Sequence, residues 1–348
     1  MVDSALADSP RLADFTTLRV GGPADHLVVA RTESELIEAV REGDERSQPV
    51  LIISGGSNIL IADEGFPGTV VVVATRGITV SESSEDALLV SVAAGEVTDD
   101  LIEHAVEQSW SGLETLSGIP GLMGAAAVQN IGAYGGEISQ VIAGVRVYDR
   151  LSDEVRTLPV QSCGFAYRTS LFKQSPDRYV VVSVDVLLEA SQLSQPIAYA
   201  GLARQLGVEL GARRPLAEVR QAVIEVRRSK GMILDEADHD TWSAGSFFTN
   251  PVIGSDLAAG LPAEAPRFPQ DDGQVKTSAA WLIEHAGFPR GYGSGAARLS
   301  SRHTLALTNR GGATAWDLIS LARTIRDGVR TTYGITLTPE VRLVGLSL

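Results

Sequence analysis

Three side chains that lie far apart in the sequence carry groups that can take part in proton transfer or in binding an ion. Ser246 stands in the motif GSFFTNP, where its hydroxyl belongs either to a turn residue or to a proton donor. The motif alone favours the turn, since serine is common in turns. Arg168, in YRTSLFK, carries a planar, charged fork that suits a carboxylate. Glu340, in PEVRL, is the third candidate, although a lone Arg or Glu is most often a surface residue.

Two glycine-rich loops provide backbone that can approach a ligand closely. The first, residues 54–65, has the sequence SGGSNILIADEG and follows a strand-like run. Its paired glycines can present successive N–H groups to an anion, but no Lys-Ser or Lys-Thr follows, which excludes a Walker phosphate loop. The second loop, residues 117–137, mixes glycines with small residues and suits contact with a large, flat cofactor. Either loop could instead be an ordinary turn or a tightly packed connection.

The composition restricts the class of protein. The chain has 348 residues, 44% hydrophobic and 21% charged, as expected for packed globular structure. A net charge of −14 opposes nonspecific binding to nucleic acid or anionic membranes. The single cysteine, Cys163, excludes a disulfide framework or a cysteine zinc site and is expected to be a small buried residue; no metal site is predicted. Residues 1–15 lack a signal-peptide pattern, which favours a cytoplasmic protein.

Hydrophobic periodicity predicts a mixed, α+β order of elements rather than a regular alternation of strand and helix. A GxGxx(G/A) match at 291–296 does not follow a predicted strand, so a Rossmann domain is not supported. Thr314 and Asp317 predict a capping box for the last helix, and Gly43 predicts the end of the first. The predicted strands are 50–54, 69–75, 88–95, 144–150, 179–189 and 341–348, and the predicted helices are 33–43, 97–108, 216–230, 277–287 and 314–334.

Taken together, these segments resemble the bacterial UDP-N-acetylenolpyruvoylglucosamine reductases, the MurB family. The matching blocks occur in the family's order over nearly the whole chain, and it is their combination that is specific. They are FTTLRVGGPADHLV, SGGSNILI, GIPGLMGAAAVQNIGAYGGE, YRTSLFK, GSFFTNP, KTSAAWLI and PEVRLVG.

The resemblance implies non-covalent FAD on a fold of the vanillyl-alcohol-oxidase (PCMH) type. The expected FAD-binding subdomains are residues 1–80 and residues 81–228, the second completed by 339–348, with a C-terminal α+β substrate domain at 229–338. NADPH is expected to reduce the flavin, which then reduces UDP-N-acetylglucosamine enolpyruvate to UDP-N-acetylmuramate for peptidoglycan. The protein is expected to be a monomer that inserts into no membrane and binds no nucleic acid.

The same resemblance assigns roles to individual residues. Ser246 becomes the proton donor, and Arg168 and Glu340 stabilise the carboxylate of the substrate during the reaction. Tyr167, Lys230 and Asn250 are expected at the substrate. The expected FAD contacts are Ser54, Gly55, Gly56, Ser57, Asn58, Gly118, Gly121, Gly124, Ala125, Gln129, Asn130 and Gly132.

Other residues fit the resemblance less directly. Tyr199, in IAYAGLARQLG, matches a loop tyrosine that folds over the nucleotide in the longer subtype of the family, although Ala200 stands where glycine is expected. Arg227 and Arg228 could add positive field, but a solvated helix face is the preferred interpretation for both. His303 maps only loosely to a substrate-proximal position and is left out of the catalytic set.

Two other classes of function remain open at this stage. An FAD-dependent sugar or alcohol oxidase would share the fold, but such enzymes often tether flavin through His or Cys, and neither residue occurs in loops 54–65 and 117–137. A non-catalytic flavin- or nucleotide-sugar-binding protein is disfavoured because Ser246, Arg168 and Glu340 are all present.

Overall fold

The computed structural model describes residues 10–84 and 86–348. The prediction that the N-terminus is not a signal peptide therefore falls largely on residues 1–9, which lie outside the described residues. The chain divides into two compact units. The first unit comprises residues 10–24, 56–66 and 230–348 of the described part, and the second comprises residues 25–55 and 67–229. The division into three domains remains a prediction.

Most of the strands lie in the second unit, and those of the first unit are short. In chain order they are β1 Ala24–Ala30, β2 Val50–Ile53, β3 Ile59–Ile61, β4 Phe66–Val73, β5 Ile78–Ser84, β6 Ala87–Ala93, β7 Trp110–Ser111, β8 Gly132–Ala133, β9 Gly136–Glu137, β10 Ile142–Asp149, β11 Glu154–Pro159, β12 Tyr179–Ala190, β13 Val252–Ile253, β14 Arg267–Pro269, β15 Val275–Thr277, β16 Ala297–Leu299, β17 Leu307–Asn309 and β18 Arg342–Val344.

Helices and strands are mixed along the chain, which confirms the predicted α+β class. The helices are α1 Glu33–Glu45, α2 Thr98–Glu107, α3 Met123–Gln129, α4 Leu171–Gln174, α5 Ala200–Leu206, α6 Leu216–Ser229, α7 Ser255–Ala259, α8 Ala279–His285 and α9 Ala315–Tyr333. Short 3-10 turns occur at Leu12–Phe15, Glu114–Leu116, Ile138–Gln140, Val160–Ser162 and His239–Thr241.

The second unit is built on a six-stranded sheet. Its strand order is β11-β10-β12-β6-β5, and β7 pairs with the end of β12. All these pairings are antiparallel. Val184, Val186 and Leu188 recur every second residue along β12 and are buried, so one face of this central strand lies in the core. Helix α3 of the second glycine-rich loop packs against β12, which gives that loop a rigid support.

A smaller sheet in the second unit has the order β1-β4-β2, with β2 and β4 parallel. Helix α1 lies between β1 and β2 in the chain, and Thr32 caps its start by accepting a hydrogen bond from the Glu35 N–H. The prediction that Gly43 ends this helix is wrong, because the helix continues to Glu45. Packing explains the glycine instead, since a β-carbon at Gly43 would lie 2.3 Å from Val50 Cγ2.

The core of the first unit surrounds helix α9. Leu318, Ala322, Ile325 and Val329 are fully buried, which confirms the helical spacing in the sequence. The capping box of Thr314 and Asp317 is also confirmed, with each side chain accepting from the backbone N–H of the other residue. These hydrogen bonds from Thr314 hold the pKa of Asp317 below its ordinary value.

The strand that closes the chain is shorter than the predicted 341–348. Only Arg342–Val344 forms β18, which pairs in parallel with β3. The strand stops at Gly345, whose φ of +69° turns the chain away from the extended conformation. A β-carbon there would lie 2.9 Å from Ala62 Cβ, so both the turn and the packing favour glycine.

Asp63 provides a second cap for helix α9. Its Oδ1 accepts from the Ala315 N–H at 2.8 Å and its Oδ2 accepts from the Trp316 N–H at 3.1 Å. Both N–H groups lie in the first turn, where no intrahelical partner exists. We expect Asp63→Ala to lower the free energy of unfolding of the first unit by about 1–2 kcal/mol, measured by urea titration. Asp63→Asn keeps one acceptor and should lose less; equal loss for both variants would contradict a capping role.

Within the two described ranges, no helix combines the length and apolar character that crossing a membrane requires.

Candidate active site

Backbone hydrogen bonds within the first unit bring the Ser246 and Glu340 segments side by side. The Phe247 carbonyl accepts from the Glu340 N–H at 2.8 Å, and the Thr249 N–H donates to the Thr338 carbonyl at 3.0 Å. Ser246 and Glu340 therefore flank the same antiparallel contact although they are far apart in the sequence. Asn58, from the first glycine-rich loop, also belongs to this group, because its Nδ2 donates to the Glu340 carbonyl at 3.3 Å.

The GSFFTNP segment is fixed by its aromatic residues. Phe247 and Phe248 are each 1% exposed, and their rings pack edge-on with centroids 5.1 Å apart. The Phe247 N–H also donates to the Leu305 carbonyl at 2.8 Å. Gly245 has a φ of +67°, a left-handed conformation that glycine adopts at little cost. The segment thus holds the half-buried Ser246 between a turn and a buried anchor.

Two further predicted substrate residues lie in the first unit. The Asn250 Oδ1 accepts from the Ala279 N–H at 3.0 Å, at the start of helix α8. Part of the Asn250 side chain therefore has a structural role. Lys230 is half-buried and follows helix α6 directly.

Arg168 lies in a tight turn of the second unit. The turn is closed by two backbone hydrogen bonds between Ala166 and Thr169, and Arg168 has a φ of +53°, which is uncommon for a residue other than glycine. The guanidinium donates from Nη1 to the Asn130 carbonyl at 3.2 Å and from Nη2 to the Gly132 carbonyl. It also lies 5.4 Å from the ring centroid of Tyr167. The second glycine-rich loop therefore holds the arginine directly.

The glycine-rich loops have the close backbone packing that their composition predicted. At Gly55 a β-carbon would lie 2.9 Å from the Gly121 Cα, so the two loops approach each other within the second unit. At Gly56, in the first unit, φ is +58° and a β-carbon would lie 1.8 Å from the Phe15 carbonyl oxygen. Neither position has room for a side chain.

The loops fit a bound flavin nucleotide in one further respect. The Ser54 Oγ is buried and has no hydrogen-bond partner among the described residues. Buried hydroxyls without a hydrogen-bond partner are unusual, and a bound ligand can supply the missing partner. The predicted FAD contacts fall in both units. Gly56, Ser57 and Asn58 are in the first, and Ser54, Gly55, Gly118, Gly121, Gly124, Ala125, Gln129, Asn130 and Gly132 are in the second.

The prediction of a solvated helix face is wrong for Arg227 and confirmed for Arg228. Arg227 is only 8% exposed, whereas Arg228 is exposed. The Arg227 Nε donates to the Gly118 carbonyl at 3.0 Å, and burial lowers the pKa of its guanidinium. Arg227 therefore supports the second glycine-rich loop.

Asp99 supports the same loop through the N–H of Gly118, whereas Arg227 binds the carbonyl of that residue. The Asp99 Oδ1 accepts from the Gly118 N–H at 2.6 Å, and its carboxylate forms an ion pair with Arg220. Arg220 and Arg227 are seven residues apart and thus lie on one face of α6. Sequence reasoning missed Asp99 and Arg220, although this helical spacing of two arginines was an available signal.

Tyr199 stands at the start of α5 and is 44% exposed. Its ring packs edge-on against Tyr134 of the second glycine-rich loop, with centroids 5.7 Å apart. Burial raises the pKa of Tyr134, which also hydrogen-bonds Arg227. Ala200 is the first residue of α5, a helical position that does not require glycine. The next residue does, because a β-carbon at Gly201 would lie 2.5 Å from the Tyr199 ring. Tyr134 was not predicted as a site residue.

The one cysteine is buried, as predicted. Cys163 is 0% exposed, and burial raises the pKa of its thiol to about 11. A thiol with so high a pKa is almost entirely protonated at neutral pH, which makes it a poor nucleophile.

Comparisons with known proteins identify the family of the chain. Residues 236–344 match the family described as UDP-N-acetylenolpyruvoylglucosamine reductase, C-terminal domain, and residues 24–158 match the FAD binding domain. A UDP-N-acetylenolpyruvoylglucosamine reductase of Cutibacterium acnes is 54% identical over 340 residues, which cover 97% of this chain and 90% of the relative. That of Thermobifida fusca is 50% identical over 99% of both chains.

A solved structure extends the likeness to the fold. The crystal structure of UDP-N-acetylenolpyruvylglucosamine reductase (MurB) from Thermus caldophilus matches with a TM-score of 0.65 and 26% sequence identity, over 96% of this chain and 97% of that one. The FAD-binding fold of the vanillyl-alcohol-oxidase type, with a C-terminal α+β domain, is thereby confirmed. The chain belongs to the UDP-N-acetylenolpyruvoylglucosamine reductase (MurB) family.

Proposed function

We propose that this protein reduces the enolpyruvyl group of UDP-N-acetylglucosamine enolpyruvate to give UDP-N-acetylmuramate, with NADPH as the reductant and FAD as the bound cofactor. The observation that carries the proposal is the contact between the Ser246 and Glu340 segments, joined by the 2.8 Å hydrogen bond from the Glu340 N–H to the Phe247 carbonyl. That contact puts a hydroxyl and a carboxyl group on adjacent segments in a chain that belongs to this enzyme family.

The substrate carries a terminal CH₂=C group whose inner carbon bears both the sugar ether oxygen and a carboxylate. Bound FAD would supply to the CH₂ carbon the hydride that it receives from NADPH. Addition there leaves an electron pair on the inner carbon, delocalised into the carboxylate. The protein must therefore stabilise negative charge at the carboxylate and deliver a proton to the inner carbon.

Three residues perform these tasks in the proposed mechanism. Arg168 binds the carboxylate with its charged fork, and Glu340 acts on the same carboxylate of the substrate as negative charge builds up there. Ser246 donates its hydroxyl proton to the inner carbon and then regains a proton from solvent. An enolate carbon is basic enough to accept a proton from a hydroxyl group, although serine is a weak acid in other settings.

The remaining predicted residues bind the rest of the substrate. Lys230 contributes an ammonium group to the diphosphate, and Tyr199 covers the nucleotide as the loop tyrosine of the longer subtype. Tyr199 is suited to this because its ring is 44% exposed and rests on Tyr134. Tyr167 and Asn250 line the same substrate. We further propose that the protein acts in the cytoplasm and that it is a monomer. Light scattering of the purified protein would test the oligomeric state.

The function is tested with NADPH and the sugar nucleotide together. The purified protein should be yellow. Without oxygen it should oxidise more than one NADPH per flavin only when UDP-N-acetylglucosamine enolpyruvate is present, forming one UDP-N-acetylmuramate for each NADPH consumed in turnover. Rapid oxygen consumption with simple sugars or alcohols, and none of this product, would instead indicate an oxidase of the same fold. A colourless protein that binds the nucleotide without turnover would indicate a binding protein.

Gly132 provides a test of the way Arg168 is held. Its φ is not in the left-handed region, so alanine can adopt the backbone conformation. The added methyl group would lie 2.8 Å from Glu137 Cγ, 2.9 Å from the Gly136 carbonyl oxygen and 3.0 Å from Arg168 Nη1. We expect Gly132→Ala to displace the guanidinium and to slow flavin reoxidation by the substrate by about 10-fold or more in the flavin-loaded variant. Unchanged reoxidation kinetics in stopped flow would show that this contact is unimportant.

A further inference from the structure

The Arg168 turn is held by helix α3 and the residues that follow it. Besides the two carbonyls that bind the guanidinium, the Ser170 Oγ donates to the Val128 carbonyl at 2.6 Å, and the Lys173 Nζ donates to the Arg168 carbonyl at 3.0 Å. Arg168 is thus fixed at its backbone as well as at its guanidinium. Asn130 contacts both the backbone of this turn and the guanidinium of Arg168.

Asn130 is 0% exposed and ends helix α3 in a left-handed conformation, with a φ of +46°. Its Nδ2 donates to the Ala166 carbonyl, two residues before Arg168, and to the Glu137 Oε2, both at 3.0 Å. Its Oδ1 accepts from the Ser139 N–H at 3.2 Å. Both N–H donors and the oxygen of the amide are therefore bound to protein partners, which leaves the side chain in a single orientation.

We propose that Asn130 is the positioning residue for Arg168. Its side chain fixes the start of the turn through the Ala166 carbonyl, while its own main-chain carbonyl accepts from Arg168 Nη1 at 3.2 Å. One residue thereby fixes both the backbone of the arginine and the direction of the guanidinium. This inference rests on the proposed role of Arg168 at the substrate carboxylate.

The demands at this position explain why it is asparagine. A left-handed backbone favours glycine, asparagine and aspartate over other residues. Aspartate has no amide donor, so its carboxylate would face the Glu137 carboxylate and the Ala166 carbonyl without a proton to share. Glycine keeps the backbone and its carbonyl but loses all three side-chain hydrogen bonds. Asparagine alone meets the conformational and hydrogen-bonding requirements together.

The test is a double-mutant cycle between Asn130 and Arg168, read by stopped flow under anaerobic conditions. In its flavin-loaded form, Asn130→Gly should slow reoxidation of the reduced flavin by UDP-N-acetylglucosamine enolpyruvate by about 10²-fold. In an Arg168→Met background the same Asn130→Gly change should alter reoxidation by less than about 3-fold, because the group to be positioned is gone. Asn130→Asp should behave like Asn130→Gly.

A purely structural role for Asn130 gives a different pattern. In that case the loss would be equal in both backgrounds and would accompany loss of flavin or of thermal stability, and the positioning role would be overturned. Ser109→Gly is a matched control, since Ser109 also has a left-handed φ, of +61°, in the same unit, and its reoxidation rate should equal that of the wild type. If Asn130→Gly does not fold, Asn130→Asp completes the same cycle.

The cycle also separates this inference from the proposed function. Wild-type flavin that the enolpyruvyl nucleotide cannot reoxidise would reject the proposed function. An Arg168→Met variant with the wild-type rate would reject the role of Arg168, and with it the positioning role of Asn130, but not the reaction. A normal wild type, an impaired Arg168→Met variant and an Asn130→Gly variant with the wild-type rate would reject only the positioning role.

Discussion

Ser246→Ala should leave the flavin reducible by NADPH and slow its reoxidation by UDP-N-acetylglucosamine enolpyruvate by about 10²–10⁴-fold, the range typical of losing a general acid. The segment should keep its position, because Phe247 and Phe248 are buried and the Phe247 N–H and carbonyl both have backbone partners. Loss of the Ser246 hydroxyl should therefore slow reoxidation of the flavin without slowing its reduction by NADPH. Stopped-flow absorbance at the visible flavin band measures both.

Thr249→Val is the matched control for Ser246→Ala. It also removes a hydroxyl from the GSFFTNP segment, where the Thr249 Oγ1 donates to the Thr338 carbonyl at 3.3 Å, and it preserves the shape of the side chain. We expect its reoxidation rate to stay within about 3-fold of the wild-type rate, since a single partly exposed hydrogen bond contributes little. A Ser246→Ala rate as high as that of the control would reject Ser246 as the proton donor.

The second large effect is expected at Arg168. Arg168→Met removes the charge that we propose for binding the substrate carboxylate. It should slow reoxidation by about 10²–10³-fold, comparable to the loss of one preorganised donor at a developing anion. Arg168→Lys keeps the charge but loses the planar fork and the paired contacts with the Asn130 and Gly132 carbonyls. Its rate should fall between those of the wild type and Arg168→Met.

The exposed Arg228 provides the control for removing one positive charge. Arg228→Met, in the same unit, should reduce and reoxidise at wild-type rates because the side chain is solvated. Equal losses of reoxidation rate in Arg168→Met and Arg228→Met would mean that the rate depends only on the overall charge of the protein. A normal rate in Arg168→Met would remove Arg168 from the mechanism.

Features that depend on local sequence were predictable. The Thr314–Asp317 capping box and the buried positions of α9 follow from residues three or four apart, so the sequence pattern alone indicates them. The long strand β12 was also predictable, because its run of valines favours an extended chain. The family resemblance added the candidate site by matching several short blocks in order.

Features that depend on distant partners were not predictable. The sequence suggested that Gly43 ends a helix, but glycine is required there because a side chain would collide with Val50. Arg227 resembled a surface arginine, but its burial depends on the Gly118 carbonyl, more than one hundred residues earlier in the chain. Asn130 was predicted only as a cofactor contact, and its three protein partners become visible only once the Arg168 turn is placed. The assembly of the first unit from three separate stretches of chain is equally non-local.

The most direct measurement is a single turnover in the absence of oxygen. The protein is first bleached with one equivalent of NADPH and then mixed with UDP-N-acetylglucosamine enolpyruvate, while the flavin spectrum is recorded and the product is identified by mass. We predict that the yellow colour returns with the formation of one UDP-N-acetylmuramate per flavin. Flavin that stays reduced with this substrate, in a protein that NADPH reduces normally, would contradict the proposed reaction.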